Sequence, residues 1–201
     1  EIIDSGLLGE VYFIHHNALY RQGRPGIEYH PEAKWFLDRS RSGGGPLFDW
    51  GVYDMSFHLG ILSDRPVLQS VRSHLFSGLD AKDPGADVFD VEEHGIAMMD
   101  FSGGLKYYWE RAGHANVETP DETRIYGTRG GLKFSFLTWE SPEIELYTLK
   151  DQGAGAAVSE SIEVDFSQHG GDGFELMKHF VAIVRGEEKP ILPMAASKRN
   201  I

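Results

Sequence analysis

The order of hydrophobic and polar positions divides the chain into strand-like and helix-like stretches. β-Branched and aromatic residues dominate the run from Glu10 to Tyr20, which predicts a long strand. A polar loop follows over residues 21–45, with one short helical stretch from Glu32 to Asp38. The glycine run at 43–45 leads into a predicted helix from Pro46 to Leu62, because proline is tolerated in a first helical turn.

Beyond Pro66 the pattern changes to a series of strands separated by turn residues. The predicted strands are Val67 to Phe76, Glu92 to Phe101, Leu105 to Arg111, Glu122 to Tyr126, Gly131 to Phe136, Ile144 to Leu149 and Ser161 to Phe166. Glycine-rich loops at 102–104 and 127–130 predict hairpins, and a last helix runs from Asp172 to Val184. This order predicts an α+β fold: a large, mostly antiparallel open sheet with helices packed on one face.

The helix from Pro46 to Leu62 carries the most informative pattern. Its expected sheet-facing stripe consists of Phe48, Val52, Met55, Leu59 and Leu62. Asp49 and Tyr53 lie one turn apart on an adjacent stripe, within reach of each other. A carboxylate and a phenol flanked by apolar residues are candidates for an acid/base pair. Spacing alone favours the simpler alternative, in which the aspartate only complements the helix dipole and the tyrosine only forms a hydrogen bond.

Composition narrows the possible partners. The 201 residues carry a net charge of −12, which disfavours nucleic acid and anionic membranes as partners. Cysteine is absent, so disulfides and thiol chemistry are excluded, and no apolar run approaches the roughly 18 residues of a membrane span. The nine histidines form no helical pair with metal-ligand spacing, so no metal site is expected. We expect a soluble, cytoplasmic protein and a single domain over residues 1–201, both ends of which resemble interrupted helices.

Weaker candidates lie outside this helix. Tyr20, Trp35 and Arg39 flank the glycine run and could line a sugar-sized pocket, although solvent-exposed loop positions are the alternative. His169, in a glycine-rich loop before the last helix, is a reserve acid/base. The run from Gly153 to Val158 imitates a dinucleotide-binding loop, but a strand pattern follows it where such a loop needs a helix.

Several segments occur in an order that is informative as a set. They are residues 4–11 (DSGLLGEV), Trp35 ahead of the glycine run, Asp49-x-Gly51-x-Tyr53, residues 124–132 (RIYGTRGGL), and the closing helix before residues 186–190. This set closely resembles the C-terminal half of the Gfo/Idh/MocA oxidoreductases. The tyrosine at position 53 resembles the glucose–fructose oxidoreductase-like and dihydrodiol dehydrogenase-like members. Phe36 departs from the arginine that many relatives carry after the loop tryptophan.

The resemblance implies a two-domain enzyme. Its N-terminal Rossmann domain, absent from this chain, would bind NAD or NADP, and this chain would be the substrate-binding and oligomerisation domain. Asp49 and Tyr53 would then face the nicotinamide, with a lysine from a Glu-Lys-Pro motif of the Rossmann half. The Glu188-Lys189-Pro190 tripeptide follows the last helix and is read as a coincidence.

The expected function is therefore hydride transfer to or from a sugar, cyclitol or related polyhydroxylated substrate. The chain alone is expected to be inactive, and a homo-oligomer is expected to form through the open sheet face. The alternative is a non-catalytic ligand-binding or oligomerisation module on the same scaffold. A hydrolase that uses aspartate and histidine is a more distant third.

Overall fold

The computed structural model describes residues 1–62, 66–79, 85–135, 143–149, 157–164, 171–191 and 194. The chain divides into two compact units, Glu1–Ile162 and Glu163–Ile201. The strands are β1 (Val11–Leu19), β2 (Leu68–Phe76), β3 (His94–Phe101), β4 (Lys106–Ala112), β5 (Thr119–Gly127), β6 (Gly130–Phe134), β7 (Glu143–Leu149) and β8 (Ala157–Glu163). The helices are α1 (Arg39–Ser42), α2 (Pro46–Gly60) and α3 (Asp172–Val184), with 3-10 turns at Lys34–Leu37 and Ser102–Gly104.

The eight strands form one sheet in the order β2-β3-β4-β1-β5-β6-β7-β8. The first strand of the chain lies in the interior of the sheet, parallel to β4 and antiparallel to β5. The pairs β2–β3, β3–β4, β5–β6 and β6–β7 are antiparallel. The predicted class, a mostly antiparallel open sheet, is confirmed, and the two glycine-rich loops join antiparallel neighbours as expected.

Strand register separates the sheet into a buried and an open face. One row of paired residues crosses seven strands on the buried face: Val71, Met99, Tyr107, Ile14, Ile125, Leu132 and Leu146. The row beside it crosses the open face: Arg72, Met98, Tyr108, His15, Arg124, Lys133 and Glu145. Because side chains alternate along a strand, neighbouring rows point to opposite faces. Helix α2 packs against β3 and β4 on the buried face.

Several predicted boundaries shift, for local reasons. The helix predicted from Glu32 to Asp38 is a 3-10 turn, and α1 follows it with the Asp38 side chain capping its first turn. Strand β3 begins two residues later than predicted, and the buried side chains of Glu92 and Glu93 before it accept hydrogen bonds from the backbone of Gly45 and Leu79. Strand β5 is longer than predicted and β8 begins earlier. Gly186 has the positive φ expected after a helix, and α3 covers the predicted range.

The second unit contains α3. Its apolar side chains recur at helical spacing, and the predicted packing of this helix on the sheet stays a prediction. The dinucleotide-like run at 153–158 and the candidate His169 lie wholly or mainly outside the described residues.

Candidate active site

The glycine run before α2 brings the chain against a neighbouring segment. A Cβ atom at Gly45 would lie 2.0 Å from the carbonyl oxygen of Glu92, so only glycine fits there. The Glu92 carboxylate accepts a hydrogen bond from the Gly45 backbone nitrogen at 2.8 Å, just before the first turn of α2. A carboxylate at a helix N-terminus is favourable because the free N–H groups there carry partial positive charge. The start of α2 is thereby fixed to the segment before β3.

Asp49 lies in this first turn, and Tyr53 follows one turn later. Asp49 is half-buried and Tyr53 is 60% exposed. Burial raises the pKa of the Asp49 carboxyl, while the charge of Arg111 acts to lower it. Within the described part of the chain, no side-chain hydrogen bond joins Asp49 to Tyr53. The two groups thus share one side of α2 without contacting each other through a hydrogen bond.

The glycine between them lets α2 approach the sheet closely. A Cβ atom at Gly51 would lie 3.2 Å from the Trp109 ring, so even alanine would press on the indole. On the other side of this turn, Trp50 covers the guanidinium of Arg111, whose Cζ lies 5.1 Å from the centre of the indole ring. Gly51, two residues after Asp49, therefore allows the turn of α2 that bears Asp49 and Tyr53 to contact β4.

The predicted sheet-facing stripe of α2 is wrong in part. Leu59 and Leu62 are buried as expected, but Phe48 is largely exposed. The deepest positions on the helix are instead Asp54 and His58, both fully buried. Their burial follows from partners on the sheet, because a buried polar group is tolerated when it is hydrogen-bonded.

Asp54 accepts hydrogen bonds from two sheet residues. Nε and Nη2 of Arg111 each lie 2.8 Å from a different Asp54 oxygen, and Trp109 donates its indole N–H at 2.7 Å. Arg111 Nη2 also contacts Asp121 Oδ2 and His16 Nε2, both at 3.3 Å. Burial alone would raise the pKa of Asp54, but the hydrogen bond from His16 and the charge of Arg111 hold it well below its usual range. Asp54 is therefore ionised in the folded chain.

A second set of hydrogen bonds leads away from this ion pair. His58 is joined to the Tyr107 hydroxyl at 2.5 Å and, through its other ring nitrogen, to the Thr123 hydroxyl at 2.8 Å. The same Thr123 hydroxyl bonds His16 Nδ1 at 3.0 Å. Burial lowers the pKa of His58 well below its usual value, and the nearby charge of His16 adds to this, so the ring is neutral. Helix α2 is thus bonded to β1, β4 and β5 together.

His16, Asp54 and Asp121 lie close enough together to suggest a metal site by residue type. The donor set argues against it, because the Arg111 guanidinium already bonds both carboxylates, lies 3.3 Å from His16 Nε2 and supplies the positive charge. We therefore treat the group as an ion-pair network. The sequence analysis did not single out any of these four residues for the site. The signal that could have located Asp54, together with His58, is the spacing of Gly51, Asp54 and His58, which is that of one helix face.

The structure places the other candidates around the start of α2. Arg39 forms an ion pair with Glu92 at 3.3 Å, which links it to the capping carboxylate. Tyr20 is half-buried just after β1, and its backbone N–H donates to the carbonyl oxygen of Ala112, the residue after Arg111, at 3.1 Å. Trp35 stacks on Phe36, with ring centres 4.0 Å apart. A small cleft beside Asp49 is lined by Phe36 but not by Trp35.

Comparison with known proteins identifies the family to which the chain belongs. The family model described as the GFO/IDH/MocA C-terminal domain matches residues 1–133. The chain belongs to this family. Within the described residues, no helix is long and apolar enough to cross a membrane.

Curated members of similar sequence are sugar dehydrogenases. The chain is 29% identical over 171 residues to the D-xylose 1-dehydrogenase [NADP(+)] of Haloarcula marismortui, covering 84% of this chain and 41% of that protein. It is 29% identical over 128 residues to the D-glucoside 3-dehydrogenase of Escherichia coli, covering 58% of this chain and 33% of that protein. The chain therefore spans less than half the length of these relatives.

Solved structures share the fold at low sequence identity. A levoglucosan dehydrogenase in complex with NADH and L-sorbose matches with a TM-score of 0.74 and 16% identity, over 99% of this chain and 56% of that one. An aldose-aldose oxidoreductase from Caulobacter crescentus, complexed with glycerol, matches with a TM-score of 0.68 and 21% identity, over 99% of this chain and 52% of that one. At these identities the likeness shows the fold of the GFO/IDH/MocA C-terminal domain.

Proposed function

We propose that this chain is the substrate-binding domain of an NAD(P)-dependent oxidoreductase acting on a sugar, cyclitol or related polyhydroxylated compound. Family membership and the sugar dehydrogenases among its relatives support this reaction class. The observation that carries it is the pairing of a half-buried Asp49 with an exposed Tyr53 on one helix that is bonded to the sheet beneath. Both groups lie on a helix that is bonded to the sheet, and the Tyr53 side chain is accessible to solvent.

The proposed division of labour follows from what the chain contains. Its described residues include no strand–glycine–helix unit able to hold a pyrophosphate, so we assign cofactor binding mainly to an N-terminal domain. The nicotinamide, when bound, would carry the hydride. Tyr53 would exchange the hydroxyl proton of the substrate, and Asp49 would orient the substrate hydroxyl and the proton-transfer group. Tyr20 and Arg39, near the same end of α2, are proposed as sugar contacts, with Trp35 and His169 as further candidates.

Two measurements test this function. The complete enzyme is assayed with NAD and NADP against a panel of aldoses, glucosides and cyclitols, and turnover of at least one polyol by the wild type is expected. The 201-residue chain alone is examined by calorimetry, where no micromolar binding of either cofactor is expected. A complete enzyme that binds sugars without turnover would support the non-catalytic module and contradict the proposal.

A further inference from the structure

Arg111 is the residue on which the buried network beneath α2 converges. Its side chain is 1% exposed and comes from β4, whereas the candidate catalytic residues lie on α2. It contacts α2 at two points: the guanidinium makes two hydrogen bonds to Asp54 and lies under the Trp50 ring. Trp50 directly follows Asp49, and Asp54 directly follows Tyr53. Arg111 therefore holds the neighbour of each candidate catalytic residue.

One nitrogen of this guanidinium, Nη1, has no hydrogen-bond partner among the described residues. Nε and Nη2 are used by Asp54, Asp121 and His16, while Nη1 is buried and has no hydrogen-bond partner in the described part of the chain. An unpaired buried donor is costly, so a folded protein tends to keep one where it serves a site. Arg111 Cζ lies 5.1 Å from the ring centre of Trp50, the residue directly after Asp49, and the guanidinium charge acts to lower the pKa of the Asp49 carboxyl. The positive charge of Arg111 therefore acts on Asp49 as well as on Asp54.

Other charged groups also lie near Asp49. Arg24, Glu92 and Glu93 line the same small cleft as Asp49. Arg24 is paired with both Glu28 and Glu93, and Glu92 is paired with Arg39, so this group carries a formal net negative charge. Tyr53 lies one turn further along α2. The Arg111 guanidinium on β4, itself paired with Asp54 and Asp121, acts against burial and lowers the pKa of Asp49.

We propose that Arg111 is a positioning residue for the candidate active site, fixing the turn of α2 that bears Asp49 and Tyr53 and providing positive charge beside the Asp49 carboxylate. The inference rests on the proposed function for the roles of those two residues. It predicts two separable effects. Loss of the two-bond contact displaces the turn, whereas loss of the charge makes Asp49 harder to ionise.

The test compares three variants by two readouts. The Asp49 carboxyl is titrated by carbon-13 NMR in the whole chain, with its signal assigned from Asp49→Asn. The acid limb of kcat/KM is measured in the complete enzyme. Arg111→Met should move both to higher pH, because the ionised carboxylate has lost its cation. Arg111→Lys keeps the charge without the planar fork, so it should retain the Asp49 titration while lowering kcat by about 10²-fold through misplacement of the turn.

Asp54→Asn provides the control of opposite sign. It keeps the guanidinium and removes a negative charge beside it, so the Asp49 titration should move to lower pH. A merely structural role predicts lower activity in all variants with the Asp49 titration unmoved, and that result would overturn the inference. If Arg111→Met does not fold, Arg111→Lys decides, and either an unchanged kcat or an Asp49 titration moved to higher pH overturns the inference.

The NMR readout separates this inference from the proposed function. If the Asp49 titration shifts as expected while Asp49→Asn keeps full kcat, the charge relationship stands and the catalytic assignment of Asp49 fails. If Asp49→Asn abolishes turnover but the titration does not respond to Arg111, the proposed function stands and this inference fails.

Discussion

Arg111 and Asp54 face each other in a fully buried ion pair, in which Nε and Nη2 each lie 2.8 Å from a different carboxylate oxygen. The pair bonds α2 to β4 beneath the candidate active site. Replacing Asp54 with alanine leaves the guanidinium buried beside only Asp121 and His16. We expect Asp54→Ala to lower the free energy of unfolding by about 3–5 kcal/mol, the usual cost of breaking such a pair.

Chemical denaturation of the purified chain measures this loss. Lys106→Ala, which removes an exposed ion pair with Asp100 at the end of β4, is the matched control and should have a much smaller effect. Equal losses in the two variants would contradict the buried pair as a main stabilising contact of α2.

His58 predicts how stability depends on pH. Its pKa in the folded chain lies well below the ordinary value of about 6.5, because the ring is buried beside His16 and Arg111, with Asp54 acting in the opposite direction. Below pH 6.5 the unfolded chain therefore binds a proton at this residue that the folded chain does not. Stability should fall as the pH decreases from about 6.5, with His58 contributing up to about 1.4 kcal/mol per pH unit.

Comparison with His58→Gln isolates this contribution. Glutamine keeps hydrogen-bonding capacity but cannot titrate. The variant should be less stable at pH 7 yet lose less stability between pH 7 and pH 5 than the wild type, as measured by urea denaturation at each pH. Parallel curves for the two proteins would show that His58 does not titrate on unfolding.

Replacing the glycines at the two ends of α2 with alanine should change the stability of the chain in opposite directions. At Gly45 a methyl group would overlap the carbonyl oxygen of Glu92, so Gly45→Ala should destabilise the chain by at least about 2 kcal/mol. At Gly60, the last residue of α2, nothing lies within 4 Å of the added atom. Gly60→Ala should therefore stabilise by about 0.5–1 kcal/mol by reducing the entropy of the unfolded chain. Thermal unfolding distinguishes the two, and a stabilising Gly45→Ala would contradict the close approach.

More of the fold than of the candidate site could be predicted from the sequence. Strand and helix periods are local, so the order of elements and the position of α2 follow from neighbouring residues. The network beneath α2 depends on β1, β4 and β5 meeting at one place, and pairing across such distances leaves no local period. Hydrophobic pattern also misassigned the buried face of α2, because Asp54 and His58 count as polar positions. Only their partners, Arg111 and Thr123, explain why burying them is tolerated.

The open sheet face predicts self-association. The open face carries Met98, 40% exposed, and stacked aromatic rings such as His15 on Tyr108, with centres 4.8 Å apart. A second copy could cover these groups by a symmetric contact. Light scattering should show a dimer or larger assembly, which Met98→Glu should dissociate.

Leu7→Glu is the control for this prediction. Leu7 is similarly exposed, at 45%, but lies in the turn before β1 and outside the open face. It should leave the assembly intact. A wild-type chain that remains monomeric at high protein concentration would contradict the prediction.

Tyr53 tests the chemistry most directly. Because its side chain is 60% exposed and Phe keeps the ring, Tyr53→Phe should leave the unfolding midpoint unchanged. If the hydroxyl exchanges the substrate proton, kcat of the complete enzyme should fall by about 10²-fold or more. Tyr12→Phe, at a comparably exposed tyrosine on β1, should leave kcat unchanged.

Asp49→Asn extends the same test to the pair. It should also lower kcat, and the double variant Asp49→Asn with Tyr53→Phe should be far less impaired than the product of the two single effects, because both residues serve one step. Multiplicative effects would mean that the two act independently. Wild-type kcat in Tyr53→Phe on a true substrate would remove the phenol from the mechanism. The residue to test next would then be His169, since its imidazole could supply the same proton transfer near neutral pH.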